Sequence, residues 1–142
     1  MLTLKFKKLS ENATVPTRAH TTDACYDVYS PIDIDLPPNS ITKFDLDFAV
    51  ECPDGYKLCF YSRSGLASKG VILTNSVGIV DQDYRGCCAT ALFNCTNKTY
   101  SIHKGDRILQ CALEKVIPFE IVETEELSDT ERGTGGFGSS GK

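Results

Sequence analysis

The 142-residue chain contains no tryptophan, one methionine and two histidines, and it has no long apolar run. A membrane-spanning helix needs roughly 18 or more consecutive apolar residues, so we expect no membrane association. The amino terminus alternates apolar and polar residues and lacks the apolar segment of a secretory signal peptide. These absences together predict an intracellular protein, either cytoplasmic or nuclear.

An excess of positive charge is also missing. The net charge is −4 and the isoelectric point is near 5.1. Binding to nucleic acid relies on many lysine and arginine contacts with phosphates, so we expect no nucleic-acid partner. A small basic pocket for a phosphorylated ligand remains compatible with this balance.

The cysteines show no metal-binding or disulfide pattern. There are seven of them, an odd number, and no C-x-x-C pair occurs. Neither histidine lies at zinc-finger spacing from a cysteine pair. Free, buried thiols in a reducing compartment are the favoured interpretation, and a zinc site is disfavoured.

Helical periodicity is missing as well, since no window with a helical period reaches ten residues. Short segments of alternating polarity are instead separated by turns rich in Gly, Pro and Asn, which predicts one all-β domain. The predicted strands cover residues 2–6, 23–36, 44–50, 56–61, 77–80, 88–95, 99–102 and 107–113. We expect residues 119–122 to close a folded core over 1–123, with a Gly-rich arm over 124–142.

The stretch Thr74–Ala89 predicts a β-hairpin with an unusual turn. Asp81, Asp83 and Tyr84 lie close together at the end of an apolar strand. A carboxylate fixed by a strand end suits a general base. Two other interpretations stay open for this stretch alone: a solvated turn, and a D-x-D metal site.

A second polar stretch interrupts the strand pattern at 62–70. Arg63, Ser64 and Gly65 precede a short predicted helical turn, where free backbone N–H groups and a forked guanidinium favour an anion. An ordinary surface turn is the alternative. The Gly-rich tail also holds Arg132 and Phe137, which could fold over a bound anion and a flat ring.

Five stretches occur in a fixed order: D-A-C-Y-D at 23–27, S-R-S-G-L-A at 62–67, N-S-V-G-I-V-D-Q-D-Y-R-G at 75–86, G-D-R-I-L-Q at 105–110 and R-G-T-G-G-F-G-S-S-G at 132–141. Together they resemble the motifs of the trimeric deoxyuridine triphosphate nucleotidohydrolases (dUTPases). The resemblance covers nearly the whole chain.

The resemblance implies a jelly-roll subunit assembled as a homotrimer, with each active site built by more than one subunit. It implies hydrolysis of dUTP to dUMP and pyrophosphate, with Mg²⁺ held mainly by the triphosphate. This reaction limits uracil incorporation into DNA and supplies dUMP for thymidylate synthesis.

The resemblance also implies a role for individual residues. Asp81 activates the attacking water, and Gln110 helps to hold it. Asp27 is associated with Mg²⁺ through water. The implied substrate-binding residues are Arg63, Ser64 and Gly65 in the phosphate turn, Asn75, Gly78, Ile79, Val80 and Ala89 around uracil, Tyr84 beneath the deoxyribose, and Arg132, Phe137 and Gly138 in the arm.

Two positions depart from the family pattern. Cys25 stands where the family usually has Gly, and Ser62 where it usually has Pro. We expect altered kinetics or stability rather than loss of activity. The nearest enzymatic alternative is a dCTP deaminase of the same fold. A binding or regulatory protein that no longer needs turnover is the alternative from another class.

Overall fold

A computed structural model describes residues 2–137. Its eleven strands are β1 Lys5–Lys8, β2 Tyr26–Tyr29, β3 Ile34–Leu36, β4 Ser40–Asp45, β5 Phe48–Glu51, β6 Tyr56–Ser62, β7 Val71–Leu73, β8 Val77–Val80, β9 Ala89–Asn94, β10 Tyr100–Ile102 and β11 Arg107–Lys115. One helical turn, α1, covers Ser64–Ala67. Within the described residues, no helix is long and apolar enough to cross a membrane.

The strands form four antiparallel sheets. A four-stranded sheet has the order β2-β11-β6-β8, and a three-stranded sheet has the order β4-β9-β7. The strand pairs β1-β5 and β3-β10 make two smaller sheets. The all-β prediction is therefore confirmed.

The core lies between the four-stranded and the three-stranded sheet, because alternate residues of each strand turn inward. Along β9, Thr90, Leu92 and Asn94 are buried, while the residues between them are half-buried. The largest fully buried apolar side chains are Phe48, Leu36, Leu46, Leu92, Ile102, Ile108, Leu109, Val28 and Val71.

The prediction of a hairpin at 74–89 is wrong. β8 pairs with β6, whereas β9 pairs with β4 and β7, so the two strands belong to different sheets. Residues 81–88, called the Asp81 loop below, cross from one sheet to the other. Cys88 fixes the far end of this loop, since its N–H donates to Phe48 O at 2.7 Å and its C=O accepts from Leu46 N–H at 2.8 Å.

The end of the folded part also differs from the expectation. The last strand ends at Lys115, and no strand follows it within the described residues. Phe119 and Ile121 are 80% and 85% exposed, so they do not close the core of their own chain. Val116 keeps one contact with the fold, because its N–H donates to Gly55 O at 2.8 Å.

Candidate active site

A cavity of about 240 Å³ opens between β8 and β9, at the start of the Asp81 loop. Every residue outside the arm that was predicted to contact the nucleoside lines this cavity, and so does Asp81, the predicted catalytic residue of this loop. Its lining consists of Phe60, Asn75, Gly78, Ile79, Val80, Asp81, Tyr84, Cys87, Cys88 and Ala89.

The cavity exists because two strand edges lack a partner there. β8 pairs on one side only, with β6. β7 covers β9 only as far as Leu92, so the backbone of Ala89 pairs with β4 on one side and has no strand on the other. Unpaired edges present N–H and C=O groups at regular spacing. A flat ring with its own donors and acceptors can bind between them.

Gly78 and Asn75 shape this cavity. A Cβ at Gly78 would lie 3.2 Å from the Cβ of Phe60 and 3.8 Å from the side-chain nitrogen of Asn75. A side chain there would press on Phe60, whereas its contact with the Asn75 amide would be an ordinary one. An amide has both donors and an acceptor, so it can read the edge of a base.

The Tyr84 ring forms a wall of the same cavity. Its hydroxyl donates to Cys87 O at 3.1 Å, and about half of the side chain (47%) is exposed. A Cβ at Gly86 would lie 2.4 Å from the Tyr84 hydroxyl oxygen. Gly86 thus provides the space in which the ring lies.

The Asp81 carboxylate has no hydrogen-bond or ion-pair partner among the described residues, and it is exposed. Its backbone C=O accepts from Tyr84 N–H at 3.2 Å, which makes a tight turn. The lone pairs of the carboxylate are therefore available to a water molecule.

A second cavity, of about 330 Å³, lies at the other end of the four-stranded sheet. It collects the residues predicted to contact phosphate or Mg²⁺, apart from those in the arm. Its lining consists of Ala19, Asp23, Ala24, Cys25, Asp27, Arg63, Ser64, Gly65, Arg107 and Gln110.

Two guanidinium groups flank one carboxylate in this second cavity. Arg63 Nε lies 2.8 Å from Asp27 Oδ1, and Arg107 Nη1 lies 3.3 Å from Asp27 Oδ2. The Asp27 side chain is only 16% exposed. Arg63 also donates to Arg107 O at 3.1 Å. Asp23 adds a second carboxylate to the lining, so the formal charges balance, and the two arginines provide the N–H donors that a phosphate would need.

Arg107 was missed by the sequence reasoning. It lies within the G-D-R-I-L-Q stretch, so the signal was present, but only the contact with Asp27 shows its place in the cavity.

The phosphate turn has the predicted helical form. Leu66 and Ala67 N–H both donate to Arg63 O, at 3.1 and 2.9 Å. The N–H groups of Ser64 and Gly65 come before Leu66, the first residue whose N–H donates within the turn, and have no intrahelical partner. They are free to donate to an anion.

Ser62 compensates for the missing proline with two contacts. Its hydroxyl accepts from Leu73 N–H at 2.9 Å and so joins β6 to β7. Its C=O accepts from Gln110 Nε2 at 2.9 Å. The Gln110 amide is thereby oriented, and its oxygen is left for another partner.

Cys25 lies in the phosphate cavity without adding charge to it. Burial raises the pKa of the Cys25 thiol, and the nearby carboxylate of Glu114 raises it further. The thiol is therefore neutral at neutral pH, and it does not repel a bound phosphate.

The two cavities share no lining residue. Gln110 pairs with Tyr61, which pairs with Val77, and Asp81 comes four residues after Val77. At about 4.8 Å per strand and 3.4 Å per residue, the Cα atoms of Gln110 and Asp81 lie about 17 Å apart. One chain alone cannot hold one water between them.

The arm residues lie outside both cavities. Arg132 Nε donates to Gly135 O at 3.0 Å, within the arm itself, and Phe137 is fully exposed. Gly138 lies outside the described residues. The predicted roles of these three residues stay predictions.

The fold and the two cavities define an all-β protein with a pocket of nucleoside size and a separate pocket whose two arginines suit a phosphate. A family model described as dUTPase matches residues 11–141. The chain therefore belongs to the dUTPase family, as the resemblance of its motifs implied.

Named relatives agree with this assignment. The chain is 43% identical over 139 residues to the mitochondrial deoxyuridine 5'-triphosphate nucleotidohydrolase of Homo sapiens, covering 98% of this chain and 55% of that protein. It is 41% identical over 140 residues to the enzyme of the same name from Nautilia profundicola, covering 98% and 99%. This chain thus spans about half of the human protein but nearly all of the bacterial one.

Solved structures share the fold. The dUTPase of Staphylococcus bacteriophage 80alpha with dUpNHpp has a TM-score of 0.90 at 32% identity, covering 99% of both chains. A dUTPase mutant from phage phi11 of S. aureus, described with a structural Mg(II) ion, has a TM-score of 0.79 at 29% identity and covers 87% and 97%. The dUTPase-like fold is confirmed.

Proposed function

We propose that this protein hydrolyses dUTP to dUMP and pyrophosphate. The observation that carries the proposal is the cavity between the unpaired edges of β8 and β9, which holds the predicted nucleoside residues of this chain. Relatives named for dUTP hydrolysis support it, and so does a relative structure with a dUTP analogue.

Uracil is selected by hydrogen bonds. The Asn75 amide and the backbone of Gly78, Ile79, Val80 and Ala89 pair with its carbonyl and N–H groups. Cytosine would leave buried polar groups unpaired, which is costly. Tyr84 packs beneath the deoxyribose and leaves no room for a 2′-hydroxyl.

Asp81 acts on the water that attacks the α-phosphate. The water oxygen forms the new bond to phosphorus, and its proton passes to the Asp81 carboxylate. The bond from the α-phosphorus to the bridging oxygen breaks, and its electron pair leaves with pyrophosphate. Gln110 holds the same water from a neighbouring subunit through its free amide oxygen.

Mg²⁺ accompanies the triphosphate. No group of three or more His, Cys, Asp or Glu that could hold a metal occurs among residues 2–137. Both oxygens of Asp27 contact arginines, so this carboxylate fits a hydrated ion better than direct coordination. The ion would neutralise phosphate charge, while Arg63, Ser64 and Gly65 bind the phosphate oxygens.

The active unit is a homotrimer with shared sites. The separation of Asp81 from Gln110 supports this proposal, since a second copy must bring one of them to the other. Ile117, Phe119 and Ile121 follow β11 and are 73%, 80% and 85% exposed. A run of exposed apolar side chains of this kind is typical of a surface that a partner covers.

The arm completes the site. Arg132 binds phosphate oxygens, Phe137 stacks on uracil, and Gly138 lets the chain pass close to the ligand. The glycines beside them let the arm close over a bound nucleotide.

The experiment is pyrophosphate release from dUTP, dTTP, dCTP and UTP, each with and without Mg²⁺. Strong preference for dUTP and dependence on Mg²⁺ are expected. Ammonia released from dCTP would instead identify a deaminase, and binding of dUTP without turnover would identify a binding protein.

A further inference from the structure

The Asp81 loop has few connections to the rest of the protein. Tyr84 donates to Asp81 O and to Cys87 O, and Arg85 donates to Gln82 O and Tyr84 O. All of these hydrogen bonds stay inside the loop. Among the described residues, the Gln82 side chain makes the hydrogen bonds that join residues 81–86 to another part of the fold.

Gln82 uses both ends of its amide for this purpose. Its oxygen accepts from Gly55 N–H at 2.8 Å, and its nitrogen donates to Asp54 Oδ1 at 3.1 Å. The two contacts have opposite polarity, so the amide has one allowed orientation. A glutamate of the same shape could accept from Gly55, but it would repel Asp54.

The turn that receives Gln82 is itself firmly held. Gly55 has φ of +76°, and Tyr56 N–H donates to Pro53 O at 3.1 Å. The C=O of Gly55 accepts from Val116 N–H at 2.8 Å. β6 and β11 begin and end at this point, where Tyr56 pairs with Lys115. The turn is thus fixed to the two central strands of the largest sheet.

We propose that Gln82 is a positioning residue for the reaction, and this rests on the proposed function of Asp81. It fixes the loop to the turn at Asp54 and Gly55, and so sets where the neighbouring Asp81 carboxylate lies against the attacked phosphate. Arg85 supports the same residue, since its Nη1 donates to Gln82 O at 2.7 Å. Gln82 is absent from the lining of both cavities, so it acts through Asp81 rather than on the substrate.

A small displacement of a reacting group has a large effect on rate. A misplacement of about 1 Å can cost about 100-fold. The loop keeps its other hydrogen bonds when Gln82 is changed, so its displacement is partial. We expect the Gln82→Glu variant to lose about tenfold in kcat, with a smaller change in KM.

The decisive variant is the double change Gln82→Glu with Asp54→Asn. The amide introduced at position 54 can donate to the carboxylate introduced at position 82. The hydrogen bond between the two side chains is thereby restored, with donor and acceptor exchanged. Asp54→Asn alone keeps an acceptor for Gln82 and should remain close to wild type. Asn97→Asp, at an exposed position that lines neither cavity, is the matched control for adding one carboxylate in place of an amide.

The measurements are kcat and KM for dUTP, the melting temperature, and calorimetric affinity for a non-hydrolysable dUTP analogue. The expected result is reduced kcat in Gln82→Glu, recovery of most of it in the double variant, and unchanged melting temperature and analogue affinity. Wild-type kcat in Gln82→Glu overturns the proposal, and so does an equal loss in the double variant. Failure of the proposed function is separate, because then the wild-type protein itself would not turn over dUTP.

Discussion

Asp81 follows the edge strand β8, and Gln110 lies on β11, two strands away in the same sheet. At ideal strand spacing their Cα atoms are about 17 Å apart. The proposed mechanism has both residues hold the same attacking water, and an Asp and a Gln side chain together span well under this distance. Under that proposal two copies of the chain must meet, one bringing Asp81 and the other Gln110.

The first prediction concerns the general base. Asp81→Asn keeps the shape of the side chain and can still hold a water, but it cannot accept the proton. Loss of a general base typically lowers the rate by ~10²–10⁴-fold. We expect this loss in turnover of dUTP, with nearly unchanged calorimetric affinity for an α,β-imido analogue. Near wild-type turnover would place the base elsewhere, with Asp83 as the next residue to change.

The second prediction concerns sugar choice. The Tyr84 ring forms one wall of the nucleoside cavity, so it should exclude a 2′-hydroxyl. Tyr84→Ala should narrow the preference for dUTP over UTP more than it weakens binding of pyrophosphate. The measurement compares kcat/KM for the two nucleotides with pyrophosphate inhibition constants. Equal losses for the nucleotide and for pyrophosphate would contradict the assignment.

The third prediction separates the arm from the folded part. Ending the chain after Glu131 removes Arg132 and Phe137 but none of the strands found over residues 2–137, the last of which, β11, ends at Lys115. The shortened protein should keep its oligomeric state and melting temperature while losing most of its turnover. Light scattering measures the oligomeric state, calorimetry the melting temperature, and pyrophosphate release the turnover. Dissociation or unfolding would show that the arm is structural.

The fourth prediction concerns a buried hydroxyl. Thr90 is 3% exposed, and its Oγ1 has no hydrogen-bond partner. Thr90→Val removes this hydroxyl and should stabilise the fold by about 1 kcal/mol. Asn94 on the same strand is the contrast, since its amide donates to Leu36 O and Lys98 O at 2.9 and 2.7 Å.

Asn94→Leu should therefore destabilise the protein by about 2–3 kcal/mol, because the buried carbonyl of Leu36 and the partly buried carbonyl of Lys98 lose their donor. Denaturant unfolding of both variants provides the measurement. Destabilisation by Thr90→Val would mean that the hydroxyl has a partner in solution.

Local patterns in the sequence predicted much of the fold. Alternation predicted most strands, and Gly55, at a left-handed φ of +76°, lies in one of the Gly- and Pro-containing turns expected between them. The phosphate turn at Arg63, Ser64 and Gly65 was also found in advance, because its chemistry is contained in consecutive residues. The alternation from Phe44 to Val50 predicted one strand, but the structure has two. Asp47 adopts φ of +58° between them and divides β4 from β5.

Partnership between strands was harder to predict. β8 and β9 are consecutive and apolar, which favours a hairpin. They instead belong to different sheets, and the nucleoside cavity lies between them. The contact between Arg107 and Asp27 could not be predicted either, because it depends on the pairing of β11 with β2. Residues 119–122 have the composition of a core strand, and a single chain provides no surface that covers them.

The most direct test of the shared site is subunit mixing. Asp81→Asn and Gln110→Ala variants, each with a different tag, are unfolded together in equal amounts and refolded, and trimers with both tags are isolated. In a closed ring of three, every trimer that carries both tags has one intact site of the three, since one neighbouring pair brings an intact Asp81 to an intact Gln110.

Neither variant alone should turn over dUTP appreciably, while the isolated mixed trimers should recover roughly a third of wild-type turnover. Mixed trimers that carry both tags and show no more activity than the parent variants would contradict the account. Asp81 and Gln110 would then have to act from the same subunit, or one of them would have no part in the reaction.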